Sequence, residues 1–129
     1  MKTARGNRST ASPRDEFVDF VLEQLAFVPE LHARRMFGAS GIYRGERIFA
    51  IVAGQALYLK TDAQSRARFV QRGLGPFTFV LRGRNVKTSY FAVPPEAYDN
   101  LREMQSWVGD ALRVASGHAL KRRSRRPRA

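Results

Sequence analysis

The sequence predicts an α+β domain, a two-layer sandwich of helices on an antiparallel sheet, in the order α-β-β-β-α-β-β-α. Three observations carry that prediction. Between residues 34 and 62 the apolar runs are short, rich in β-branched and aromatic residues, and broken by glycine, the pattern of antiparallel strands joined by hairpins. On both sides of this stretch apolar residues recur every three or four positions, the period of a helix with one face on a core. A second pair of strand-like runs, residues 77–81 and 86–93, flanks the turn Arg82-Gly83-Arg84-Asn85. Helices with one apolar face and a sheet with one apolar face bury each other as two layers.

The first helix is expected to start at Ser12-Pro13-Arg14-Asp15: a capping hydroxyl, a proline at the first helical position and an acid at the positive end of the dipole. Phe17, Val21, Leu25 and Val28 form its apolar face to about Phe27, and Pro29 stops it. Gly45-Glu46 and Gly54-Gln55 are the tightest breaks in the meander that follows. In residues 47–53 both alternating faces are apolar, Ile48, Ala50 and Val52 against Phe49 and Ile51, as in a central strand covered on both sides. Thr61 or Asp62 caps a second helix whose inward face is read as Ala63, Ala67 and Val70, with Phe69 beside them. Gly73, Gly75 and Pro76 end it. Pro94-Pro95-Glu96 is read as the start of the last and longest helix, running to about Gly117, with Leu101, Met104, Val108 and Leu112 as its buried face.

The length, 129 residues, suits one domain, and 43% apolar residues suffice for a core. There is no cysteine, which excludes disulfides, thiolate metal sites and a cysteine nucleophile. No apolar run approaches the roughly 18–20 residues that span a bilayer, and the basic N-terminus has no apolar segment behind it. A cytoplasmic protein without membrane contact is the expectation. The net charge of +12 is unevenly spread. Residues 1–14 hold Lys2, Arg5, Arg8 and Arg14 and no acid; residues 121–129 hold Lys121, Arg122, Arg123, Arg125, Arg126 and Arg128 and no acid. Residues 15–120 carry 13 basic and 11 acidic side chains, a balance of +2. The chain therefore reads as a disordered basic tail, 1–11, a domain, 12–118, and a second basic tail, 119–129.

Convergent titratable groups, which an enzyme needs, are missing from the pattern. His32 and His118 stand far apart with no acidic neighbours at metal-ligand spacing, no serine sits in a nucleophile elbow, and Gly38-Ala39-Ser40-Gly41 lacks the lysine and helix of a phosphate loop. No catalytic residue, metal or cofactor is expected. Three features could bind an anion. The tail Lys121, Arg122, Arg123, Arg125, Arg126, Arg128 attracts polyanions without sequence preference, or only aids solubility. Arg34-Arg35 can present two guanidinium groups to a phosphate, or one can pair with a carboxylate such as Asp62 or Glu46. Tyr43, Tyr58 and Tyr90 with Arg44, Lys60, Arg82, Arg84 and Lys87 can make an aromatic-basic sheet face for single-stranded nucleic acid, or simply cover and solubilise a sheet.

One ordered set of residues is more specific than any of these. Arg34-Arg35-Met36-Phe37-Gly38, Gly41-Ile42-Tyr43, Phe49-Ala50, residues 57–62, Arg66, Phe69, Pro76-Phe77, and Tyr90 with Val93-Pro94 together resemble the TfoX (Sxy) N-terminal domain family over roughly residues 16–116. The resemblance implies the same helix and strand order, a two-layer fold like that of secretion chaperones, and members that often dimerise. It also implies kinship with regulators of natural competence, which act as co-activators with the cyclic-AMP receptor protein and carry a second, helical C-terminal domain. At 129 residues the expectation is the N-terminal-type domain without that second domain. The expectation is a non-enzymatic regulatory or protein-interaction module, with a transcription factor as analogous partner, self-association, and nonspecific nucleic-acid contacts through the tails. A small-molecule-binding or catalytic domain with a pocket between sheet and helices is the alternative.

Overall fold

A computed structural model describes the backbone of residues 13–36 and 38–128 and the side chains of 15–36 and 38–117. The elements are α1 (Pro13–Gln24), β1 (Leu31–Met36), β2 (Ala39–Arg44), β3 (Arg47–Ala53), β4 (Ala56–Lys60), α2 (Ala63–Gln71), β5 (Pro76–Leu81), β6 (Arg84–Ala92), a 3-10 turn (Pro95–Asp99) and α3 (Leu101–Arg128). Every strand pairing is antiparallel, and the sheet order is β1-β2-β3-β4-β6-β5. The α+β class and layer plan match the sequence reading, with one strand more than expected. The added strand is β1, which pairs along its whole length with β2.

Glycine makes the tight turns. Gly45 and Gly54 hold φ of +60° and +59° between β2 and β3 and between β3 and β4. The β5–β6 turn has φ above zero at both central residues, Arg82 at +53° and Gly83 at +77°, which matches the right-handed twist of a hairpin.

Register decides which side chains meet. Ala50 faces Ile42 and Leu59, Leu59 faces Phe91, and Val52 faces Leu57; this row belongs to the core, with Val21, Leu25 and Val28 from the α1 region and Met104, Trp107, Val108 and Ala111 from α3. Fully burying a side chain the size of Leu57 or Phe49 stabilises by about 1.5–3 kcal/mol. A bulge where the β2–β3 register shifts next to Ile42 and Tyr43 corrects the strict alternation expected for residues 47–53. The extra residue on β3 brings Phe49 into the core beside Ala50, and Ile48 goes to the other face, opposite Tyr43.

The helices differ from expectation in four ways. First, α1 ends at Gln24 rather than near Phe27, and its capping candidate Ser12 lies outside the described residues. Second, α2 turns Phe69 inward, while Ala63, Ala67 and Val70 are exposed: the large ring fills the space above Phe91 and Trp107, and the helix rotates to put it there. Third, Pro94-Pro95-Glu96 opens a separate 3-10 turn, and α3 starts afresh after Asn100, whose side-chain oxygen accepts from Glu103 N–H. Fourth, Leu101 is 59% exposed. The first turn of α3 precedes its crossing over β3 and β4, and Met104, Trp107, Val108, Ala111 and Ala115 make the buried stripe instead. The α3 backbone is helical to Arg128, beyond the expected end near Gly117. The expectation of a disordered tail over residues 1–11 concerns residues outside those described, as does Phe37.

Candidate functional site

All helices lie on one face of the sheet. The pairing Arg34–Gly41–Ile51–Tyr58–Ala92 runs across the opposite face, and Lys60 opposite Tyr90 runs beside it. Among the described residues no helix covers this face. Its middle is sealed by its own side chains: Ile51 is buried, and Tyr43, Tyr58 and Tyr90 are each half-buried. Gly41 is a close-packing point. A β-carbon there would meet Ile48 Cδ1 and Tyr43 Cε1 at 3.0 Å and Met36 Sδ at 3.4 Å.

Arg34 and Arg35, adjacent in sequence, point to opposite faces because strand side chains alternate. Arg35 bonds to Asp15 of α1, so it clamps the helix to the sheet; the carboxylate is neither Asp62 nor Glu46. Arg34 stays on the bare face with its guanidinium carbon 5.1 Å from the centre of the Tyr43 ring. His32 stacks on the other part of this cluster, 5.3 Å from Tyr43, with Nε2 2.6 Å from Gly45 O.

The basic residues grouped with the tyrosines divide. Lys60 shares their face. Arg82 and Arg84 sit at the tip of the β5–β6 hairpin, and Lys87 pairs with Thr78, on the side of the hairpin away from Phe79. Arg44 leaves the set and lines a cleft. Two rings join the face that its tyrosines alone did not reveal: Phe77 lies 5.2 Å from Tyr58, and Phe79 lies 6.2 Å from Phe77. Their sequence signal was the i, i+2 spacing in a strand, read only as propensity. Burial pushes the Tyr90 phenol above its ordinary value, and the nearby Tyr43 pushes the same way.

The cleft, about 710 Å³ and open to solvent, lies between α2 and α3 and takes in Arg44, Asp62, Ser65, Arg68, Asp110 and Arg113. Internal pairs engage most of its charges. Asp62 caps α2, accepting from Ser65 N–H at 2.8 Å while Ser65 Oγ accepts from Asp62 N–H at 3.0 Å. That backbone bond is the main reason the Asp62 carboxyl is held below its ordinary value. Asp110 accepts from Arg68 at 2.7 Å and also from Arg113. Arg68 in turn lies 3.6 Å above the Trp107 ring and donates to Ser106.

No three His, Cys, Asp or Glu side chains among the described residues are grouped to hold a metal ion. Lys121, Arg122, Arg123, Arg125, Arg126 and Arg128 fall on the helical backbone of α3; their side chains lie outside those described, as does that of His118. No helix among the described residues is long and apolar enough to cross a membrane.

The fold and its meander coincide with a known family. The family model described as the TfoX N-terminal domain matches residues 23–115. The chain belongs to the TfoX N-terminal domain family. A comparison with curated proteins finds no match. In this TfoX N-terminal domain the match runs from α1 into α3, so it takes in the whole sheet and both of its faces. Membership supports a regulatory or interaction module as the kind of domain this is.

Proposed function

We propose that this protein is a non-enzymatic cytoplasmic regulator of the transcription or competence type, whose folded domain makes protein contacts and whose C-terminal basic segment holds nucleic acid through its phosphates. The carrying observation is the placement of charge. Six cations fall within residues 121–128, on a helical backbone continuous with the α3 segment that is anchored in the core at Met104, Trp107, Val108 and Ala111. From residue 118 to 128 a helix advances about 15 Å, and residues 15–120 carry a balance of only +2, so the charge is concentrated on this segment rather than on the domain. Phosphates contacted this way carry no sequence information directly. The cleft beside Asp110 favours the small-molecule alternative, but its charges are largely consumed by Arg68–Asp110, Arg113–Asp110 and the Asp62 cap.

The test is binding of duplex DNA at several salt concentrations by the full chain and by a variant with Arg122, Arg123, Arg125 and Arg126 changed to Gln. Each lost phosphate contact should flatten the log–log salt slope by about 0.9, while a second duplex of unrelated sequence binds equally. Identical slopes for the two proteins would refute the role of the segment.

A further inference from the structure

The sheet face that bears no helix is more than a polar surface. Tyr58, Phe77 and Phe79 form a chain of rings across β4 and β5, with centroids 5.2 and 6.2 Å apart in succession. Phe79, at the open end, is 41% exposed, and Leu81 on the same side of the strand is 54% exposed. Leaving a large ring in water at a sheet edge forgoes burial that would stabilise the fold, and edge strands usually carry charge or proline instead. The hairpin that carries Phe77 and Phe79 holds cations and no acid. Residues 76–95 contain no acid, Arg82 and Arg84 sit at the hairpin tip, Lys60 stands on the face beside Tyr90, and Arg34 lies over Tyr43 at its far side. Arg82 holds a left-handed φ of +53° at the hairpin tip, a position where Asn or Gly would sit with less strain.

We propose that this face binds single-stranded nucleic acid: bases stack on Phe79, Phe77 and Tyr58, and the backbone phosphates follow Arg82, Arg84 and, across the sheet, Arg34. Rings on strands supply stacking surfaces that every base can use, and guanidinium groups supply phosphate contacts. A duplex cannot use the rings, because its bases already stack on one another. The ligand class therefore differs from that of the C-terminal segment, which takes phosphates of either form. A second copy would bring the same cations against these.

The experiment measures anisotropy of a labelled thymidine oligomer, of the same oligomer with abasic sites, and of a duplex, with the full-length chain. Phe79→Ala should weaken binding of the thymidine oligomer about fivefold or more and leave the duplex and the abasic strand unchanged. Phe79→Tyr should restore it. Val80→Ala, on the opposite side of the same strand and 67% exposed, should change none of the three. Circular dichroism of each variant reports on folding, and Tyr58→Ala gives a second reading from inside the sheet. Equal loss on strand and duplex, or no loss on the strand, would overturn the proposal. So would sedimentation showing a dimer that Phe79→Ala dissociates, since the face would then belong to a second copy. Because the C-terminal segment is intact throughout, a failure here leaves the salt-slope result for that segment standing, and the reverse holds as well.

Discussion

Replacing Trp107 by Ala tests the joint on which the helical layer depends. Trp107 is fully buried on α3 and meets Phe69 of α2 edge-to-face at 4.8 Å. Its indole N–H donates to Glu103 at 3.0 Å, and Arg68 covers its ring. Removing a buried aromatic side chain costs about 3–5 kcal/mol through lost transfer energy and the cavity left behind. The lost aromatic pair and cation–π contact are each worth about 0.5–1.5 kcal/mol and overlap with that figure rather than adding in full. With a urea slope of about 1.5 kcal/mol/M, the midpoint should fall by about 2–3 M. Trp107 is the sole tryptophan, so circular dichroism rather than fluorescence must follow the transition. Leu101→Ala is the matched control on the same helix: at 59% exposure it should change stability by no more than about 0.5 kcal/mol. A midpoint for Trp107→Ala within experimental scatter of the wild type, or an equal loss in Leu101→Ala, would refute the packing of α3 argued above.

Asp62→Ala should cost about 0.5–2 kcal/mol at neutral pH through loss of the α2 cap. The folded carboxyl titrates below its ordinary 3.8, so its contribution is present above that value and fades as pH falls through the folded pKa. Chemical denaturation at pH 7 and near pH 3 should show the gap between variant and wild type narrowing in acid; an unchanged gap would count against the cap. Tyr98→Phe removes the acceptor of Leu57 N–H, a bond of 2.9 Å, and should cost about 1–3 kcal/mol by stranding that donor. Burial raises the Tyr98 phenol above its ordinary 10.0, so its contribution is complete below pH 10 and is lost as pH rises toward the folded value. Thermal melts between pH 8 and 11 should show wild-type stability declining more steeply than that of the Phe variant.

Local chemistry makes much of this protein legible in its sequence. Glycine at Gly45, Gly54 and Gly83 marks turns because each of these positions takes φ above zero, which glycine adopts without steric cost. Asp62 marks a helix start because its side chain reaches an amide three residues on. The spacing of Val21 and Leu25 marks a buried face because it follows the helical period, and Val28 joins that face from the turn after α1. Each signal lies within a few residues of its effect. What the tertiary structure alone decided depends on partners distant in sequence. The β2–β3 bulge moved Phe49 into the core and Ile48 out of it, and a one-residue shift inverts faces with no change in apolar pattern. Leu101 and Met104 carry the same periodic signal, but only the second lies over the sheet. Arg34 and Arg35 look like a pair until the pleat separates them and Asp15, from the preceding helix, takes one. The ring chain of Tyr58, Phe77 and Phe79 spans strands joined through a helix, and strand order, which no local period encodes, brought it together.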